Sequence, residues 1–476
     1  MVSSEAIKNA SLIILSLLFL PLDSFIATCS YLLGWVSKPK AIRPGHQKRN
    51  VLVTGVGMSK GLFLARAFYL AGHRVIGADF EPDGALSIGR TSKSLSRFYH
   101  LRAPAGQDAS TTYVQDLLRI VLAEKIDLWV SCSGVASAVE DGQAKEIIEA
   151  RTPCKALQFD IETTQMLHEK HTFVEHVSKC GLTVPETYAI TTRADVERIL
   201  RRAPSGRHYI MKTIGVVDAV RGDMTLLPKD THDETLKHLQ HLPISEECPW
   251  ILQQFVQGAE FCTHSVVVNG RVKAFVACPS AELLMHYQML PPDSALSLAM
   301  LAFTESIAAR GGEGFTGHLS FDFMVEDADL KSNNPTLYPI ECNPRAHTAV
   351  VLFNGTHRMV DAYMSLLGNA EAEEVIFPAQ TGGYKYYWVG HDLATKLLLS
   401  TVGLCTLSKG VSAVLSDYIA LVSHLTLWRD GTFELWDPWP WWCLYHIYWP
   451  VRFWHCIRTG TGWSRVNVST TKMFEK

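Results

Sequence analysis

The chain is short of several things that announce a function. Its 11 cysteines include no Cys-x-x-Cys pair and no Cys/His ligand spacing. A disulfide framework or a zinc site is therefore not expected, and reduced thiols in a cytosolic compartment fit better. Excess charge is absent too: 44 Lys and Arg against 47 Asp and Glu leave a formal −3 over 476 residues. Nucleic acid thus has no basic footprint to bind. Internal repeats and low-complexity tracts are also missing, which removes solenoids and disordered tails. What remains is length enough for two or three domains with real cores.

Two hydrophobic regions stand out. The first, 11-SLIILSLLFLPLDSFIATCSYLLGWV-36, exceeds the roughly 20 residues a bilayer span needs, although Pro21 and Asp23 interrupt its middle. It has no small-residue cleavage site, so an uncleaved anchor is expected. Lys38, Lys40, Arg43, Lys48 and Arg49 follow it and only Lys8 precedes it. That bias keeps the bulk of the chain on the cytoplasmic side. A buried N-terminal hairpin is the alternative. The second region, 436-WDPWPWWCLYHIYWPVRFWHCI-457, holds six of the 12 tryptophans. Its three prolines argue against one straight spanning helix. Its rings suit the headgroup boundary, which gives a monotopic membrane-surface patch. An aromatic core or the contact of a homodimer is the plainer reading. The sequons at Asn354 and Asn467 would go unused on the cytoplasmic side.

Between these regions the rhythm changes once. The strand-like 50-NVLVTGV, a helix near 59–71, the strand 73-HRVIGADF, a helix at 111–124 and the strand 126-IDLWVSCSG read as a doubly wound α/β domain over 48–160. Its first turn, 51-VLVTGVGMSKG-61, carries Gly55, Gly57 and Gly61. A helical face then runs through Met166, Leu167, Phe173, Val174 and Val177 and stops at Gly181 and Pro185. Strand patterns dominate afterwards: 208-HYIMKTI, 249-PWILQQFV and 261-FCTHSVVVNGRVKAFVA, the last with the hairpin signal Asn269-Gly270. A helix near 294–310 precedes two more strands, 316-TGHLSFDFMV and 337-LYPIECNPR. The second domain is therefore α+β, over 161–372.

Alternation puts Glu341 and Asn343 on one face of the last strand. If that strand pairs with 316–325, Asp322 faces them, while Phe321, Phe323 and Ile340 point into a core. Two carboxylates and an amide oxygen are hard donors suited to Mg²⁺. The bland reading, an exposed strand with ordinary acids, is weakened because the strands are otherwise apolar. Lys212 closes an apolar strand. Gln253 and Gln254 sit in another, followed by Phe255, Val256, a turn at Gly258, and Glu260, whose carboxylate can accept from ribose hydroxyls; an edge strand with exposed polar residues is the plainer reading here, as a lysine snorkelling to solvent is for Lys212.

In this order the pieces resemble the ATP-grasp superfamily over about residues 48–370, with 341-ECNPR-345 the most specific string. The resemblance implies that Lys170 and Lys212 contact nucleotide phosphates, and that 253-QQFVQGAE-260 is the hinge beside the adenine with Glu260 at the ribose. It implies Asp322, Glu341 and Asn343 as ligands of Mg²⁺, two ions in all, with Mn²⁺ able to substitute. The strings 95-LSRFY-99, 249-PWILQQFVQGAEFCTHS-265, 318-HLSFDF-323 and 341-ECNPRAHTAV-350 are similar to the amine-ligating ATP-grasp enzymes of mycosporine biosynthesis. They are similar also to fungal relatives in isoquinoline alkaloid clusters of the fumisoquin type. Those relatives also carry a hydrophobic N-terminal segment.

One departure is the loop 212-KTIGVVDAVRGDM-224. It has Gly215 and Gly222 but no serine between them, and Arg221 is the candidate to supply charge there. The activity implied is ATP-driven joining of an acid or enol oxygen, once phosphorylated, to an amine of amino-acid type. Arg345 is then expected near the transferred phosphate or a substrate carboxylate, and His264 and His347 line the pocket. Gly55 and Gly57 turn the backbone and offer their N–H groups to the second substrate. Two other readings compete: an NAD(P)-dependent oxidoreductase built on the glycine loop with Asp79 at the ribose, and a nucleotide-binding module without turnover. The region 373–476 completes the chain after 1–47 (anchor and linker) and the two domains.

Overall fold

The computed structural model describes residues 4–36, 47–104, 109–132, 134, 137–204, 206–213, 224–280, 285–368, 374–379 and 383–475. The first domain is a five-stranded parallel sheet in the order β3-β2-β1-β4-β5. Its strands are β1 (Asn50–Thr54), β2 (Arg74–Asp79), β3 (Arg97–His100), β4 (Leu128–Val130) and β5 (Lys155–Leu157). Helices α2 (Ser59–Leu70), α3 (Ala109–Glu124) and α4 (Ala138–Arg151) connect them. Val51, Leu52 and Val53 are fully buried, as expected of a strand covered on both faces. The two edge strands were not anticipated. They have four and three residues and mixed polarity, too little for a period to show.

The helical face at 162–187 is two helices, not one. The first, α5 (Ile161–His168), and the second, α6 (Lys170–Lys179), are separated by Glu169 in an extended conformation with ψ 124°. Leu167 and Phe173 are both fully buried. Six residues apart, they would lie about 240° around a straight helix, so the break lets both reach the core.

A small antiparallel sheet, β6 (Thr187–Ile190), β8 (Trp250–Gln254) and β7 (Tyr209–Thr213), is backed by α7 (Arg193–Arg202) and α8 (His232–His241). The main antiparallel sheet has the order β10-β9-β12-β13. Here β9 (Gly258–Val268) and β10 (Arg271–Pro279) turn at Asn269 and Gly270, both at positive φ, 50° and 72°. The primed turn matches the twist of the strands it joins. Strand β12 (Gly317–Glu326) pairs with β13 (Tyr338–Asn343), and α9 (Ala295–Gly311) covers the sheet with Met300 and Ile307 in the core. A further sheet joins β11 (His286–Tyr287), β14 (Tyr386–Tyr387) and β15 (Arg429–Asp430), and β16 (Trp463–Asn467) pairs with β17 (Lys472–Glu475).

The two hydrophobic regions pack on each other. Helix α1 (Ser4–Val36) runs unbroken through Pro21. The aromatic segment 439–459 is also continuous, with a π turn at Leu444–Tyr448 just before Pro450. A π turn absorbs the missing N–H of a proline inside a helix. That is why Pro450 does not break the aromatic segment. Along their length Lys8 donates to the Trp463 carbonyl, Ser16 to that of Tyr445 and Trp442 Nε1 to Ser24. Asp23 pairs with His446 at 2.9 Å. Of the six tryptophans in 436–457, Trp441 and Trp449 are buried and only Trp454 is exposed. Trp436, Trp439 and Trp442 are half-buried, and the run packs partly on α1.

Candidate functional site

Strands β12 and β13 set the site. Asp322 lies directly opposite Glu341 and Ser320 opposite Asn343. Between Asp322 and Phe323 the register slips, because Ile340 is an extra residue in β13. Ile340 therefore stays half-buried, and Cys342 and Pro339 take the inward places beside Phe321 and Phe323. That corrects the expected placement of Ile340. The acids keep their face: Asn343 Nδ2 donates to Asp322 Oδ2 at 3.2 Å, and Arg345 Nη1 to Asn343 Oδ1 at 2.5 Å.

The lysines arrive from other elements. Lys170 opens α6 because the chain breaks at Glu169, and its Nζ lies 3.5 Å from Glu341 Oε2. Lys212, on β7, donates to Gln253 Oε1 at 2.6 Å. Burial lowers Lys212 to about 8; the Lys170 charge adds to the fall, and Glu341 and Glu260 oppose it. Glu260 accepts from Ser280 Oγ at 2.8 Å and sits opposite Met324 on β12. Asp322 is pushed well up, first by burial and then by Glu341 and Glu260, against Arg345 and Lys170. Asp322 and Glu341 facing each other across the strand pair, with Asp322 driven toward its neutral form, fit a divalent cation, which would relieve that repulsion.

Other expected residues have different surroundings. Gln254 is tied to Glu186 through its backbone N–H at 2.7 Å and its side-chain oxygen at 3.2 Å, and Phe255 N–H donates to the His208 carbonyl at 2.8 Å. Both hold the hinge in place, and Val256 beside them is buried. His264 is fully buried; its Nδ1 accepts from the His347 amide at 3.3 Å, and its Nε2 has no hydrogen-bond partner among the described residues. Burial, then His318 and His347, hold it well below the usual histidine range, so it is neutral. It is a core residue beneath the site. His347 caps the turn Thr348–Phe353 by accepting from the Ala349 amide. It also brings a ring nitrogen within 4.8 Å of a carboxylate oxygen of Asp322 and of Cys262 Sγ. Arg221, Gly215 and Gly222 lie outside the described residues.

The glycine loop is closed. Gly55 N–H donates to the Ala78 carbonyl at 2.9 Å and Gly57 N–H to Asp79 Oδ2 at 2.5 Å. Neither amide is left for a second substrate, which corrects that expectation, and Asp79 is turned inward. The mouth of the loop is filled by the C-terminal region. Ser59 N–H donates to the Ser469 carbonyl, and Ser59 Oγ accepts from Trp388 Nε1. A dinucleotide phosphate would need that place.

Lys60 was missed in the sequence, being one lysine in a helical turn. It is buried, and its Nζ donates to the Ala346 carbonyl at 2.8 Å, joining the first domain to the turn that follows β13 beside Arg345. Burial, then Arg345, lower it to about 7. Cys262 was also missed, within the string FCTHS, since nothing in its spacing marks it.

No family model and no curated protein matches the chain. Among solved structures it overlaps an L-amino acid ligase from Bacillus licheniformis at 14% identity and a TM-score of 0.43, covering 63% of this chain and 68% of that one. It overlaps the biotin carboxylase domain of the Hydrogenobacter thermophilus 2-oxoglutarate carboxylase, solved with MgADP and bicarbonate, at 12% and 0.49, over 70% and 72%. It overlaps the N5-carboxyaminoimidazole synthetase of Staphylococcus aureus, solved with ADP, at 14% and 0.45, over 65% and 73%. Overlap at this level establishes neither a family nor an activity, which rest on the site itself.

Proposed function

We propose that the chain is an ATP-dependent ligase of the ATP-grasp type. In this reading it phosphorylates a carboxylate or enol oxygen and joins that carbon to an amine, of amino-acid type, in specialised metabolism. The observation that carries it is the meeting of Asp322, Glu341 and Asn343 with Lys170, Lys212 and Arg345 from three separate elements. Mg²⁺ bound with ATP would supply charge that offsets the phosphates. Asp322, Glu341 and Asn343 are the residues to hold it. Lys170 and Lys212 would balance the remaining phosphate charge, and Lys212 does so only while protonated. Glu260 would accept from the ribose hydroxyls. Arg345, anchored on Asn343, would orient the acid. The acid oxygen gains the phosphoryl group, the amine nitrogen displaces it as phosphate, and ADP is the other product.

The oxidoreductase reading loses its support in the plugged glycine loop. The binding module without turnover leaves the paired acids and lysines without a task. Thermal shift separates all three. Mg·ATP should raise the Tm and NAD or NADP should not, with phosphate released when ATP, a carboxylic acid and the amino-acid set are combined. Stabilisation by NAD alone would overturn the ligase, and ATP binding without phosphate release under any pairing would leave a binding module.

A further inference from the structure

The region between β14 and β15 forms a helical hairpin that nothing in the site uses. It runs from Val389 through a π turn at Leu393–Leu398 to a helix ending at Cys405, then returns along Val411–Leu427. Its outer face is apolar. Leu407 at the tip is 90% exposed, and Val411, Leu415, Ile419 and Val422 repeat every three or four residues along one exposed stripe. Ser412 and Ser416 are exposed beside that stripe, while several other polar side chains are bonded within the hairpin. Ser400 donates to Asp417 at 2.6 Å, Thr401 meets Tyr418 at 2.8 Å, and Lys409 pairs with Asp417. Thr406 and Thr426 donate to backbone carbonyls of their own helices, Val402 and Val422. These internal bonds satisfy the groups that make them without water, as hydrocarbon requires.

The setting points to lipid. Helix α1 exposes Ile14, Leu18 and Phe25, and a cavity of about 1210 Å³ is lined from one side by Leu12, Leu15 and Phe19 of α1 and from the other by Leu398, Leu399 and Val402 of the hairpin. The groove therefore runs between α1 and the hairpin, on faces other than their exposed stripes. At the hairpin base, away from the tip, Lys385 lies over Trp428 and Arg429 over Tyr384. Cations with aromatic rings at that level complement anionic headgroups. The return helix has 17 residues, about 25 Å, short of a full crossing. Its two roots, β14 and β15, pair with each other, so the chain enters and leaves on one side.

We propose that the hairpin 389–427 and the outer stripe of α1 together embed in a single leaflet of an anionic bilayer, with acyl chains filling the groove between them. The proposal stands apart from the ligase reading. The test uses the full chain with Cys29→Ser and Cys248→Ser, so that exposed Cys405 alone takes an environment-sensitive dye, the remaining thiols being buried. On vesicles of phosphatidylcholine and phosphatidylglycerol, dye emission should shift to the blue, lose quenching by iodide, and gain quenching by chain-brominated lipids. Continued iodide quenching on vesicle-bound protein would overturn the proposal. So would protection from iodide without quenching by brominated lipid, which would place a second copy on this face. Leu415→Glu with Ile419→Glu, both at exposed positions, should abolish the brominated-lipid quenching while circular dichroism shows the fold intact. Unchanged quenching in that variant would also overturn it.

Discussion

Two stretches of this chain promise chemistry, and the structure treats them oppositely. In the glycine loop 55–61 every group on view is spent: the amides of Gly55 and Gly57 and the carboxylate of Asp79 bond to one another or to the sheet, and the C-terminal region closes the mouth. On the hairpin β12–β13, like charges face each other and opposite charges arrive from distant elements. A motif with all its polar groups satisfied is architecture. A site where acids face each other and are only partly offset by lysine and arginine has work left for a ligand.

The widest break of this contrast comes on the sealed side. Asp437 is fully buried and bonds Arg66 at 2.9 Å, Ser92 Oγ at 2.6 Å and the Lys93 amide at 2.8 Å. Asp437→Ala should cost about 3–5 kcal/mol, because it strands a buried guanidinium. Urea unfolding measures this; a loss under about 1 kcal/mol would mean that water reaches Arg66. On the open side, Glu341→Gln should cut kcat for phosphate release on the order of 10²–10³-fold, about 2.7–4 kcal/mol. Its Tm should hold or rise, since one of the acids facing Asp322 is gone. A fall in Tm with unchanged turnover would reverse the assignment of the two regions.

A smaller effect is expected from Gly61→Ala, whose Cβ would stand 2.2 Å from the Gly55 carbonyl oxygen. The overpacking should cost about 1–3 kcal/mol and leave the KM for ATP unchanged. A raised KM for ATP would bring the loop back into the site. A last test is a pH effect. Burial holds Asp79 at about 6, above its ordinary 3.8. The folded chain thus keeps this proton more tightly than the unfolded one, and stability falls as pH rises from about 4 to about 6. In Asp79→Asn that part of the slope should disappear; identical Tm-against-pH curves would show that Asp79 is solvated.

The sequence was most legible where one local rule decides. Asn269-Gly270 can hardly be other than a tight turn, and period-two alternation is enough to align Asp322, Glu341 and Asn343. It was least legible where distant packing decides. The bulge at Ile340 and the break at Glu169 leave no mark in periodicity, because each answers to a core built by residues far away. Lys60 reads as an ordinary helical lysine until Ala346 is brought beside it. The prolines of α1 and of 439–459 looked like breaks, yet each helix lies against the other and holds its course.

The bond between Arg66 and Asp437 joins residues 371 apart. During synthesis at about 5–20 residues per second, Arg66 waits on the order of tens of seconds for its partner to be made. For that time the first domain has left the ribosome with a cation facing a cavity that only the last part of the chain fills. The protein is therefore finished from its end backward. A chain cut short before Trp436 would lack the partner of Arg66, and the cell's quality control would meet an unpaired arginine against the first sheet.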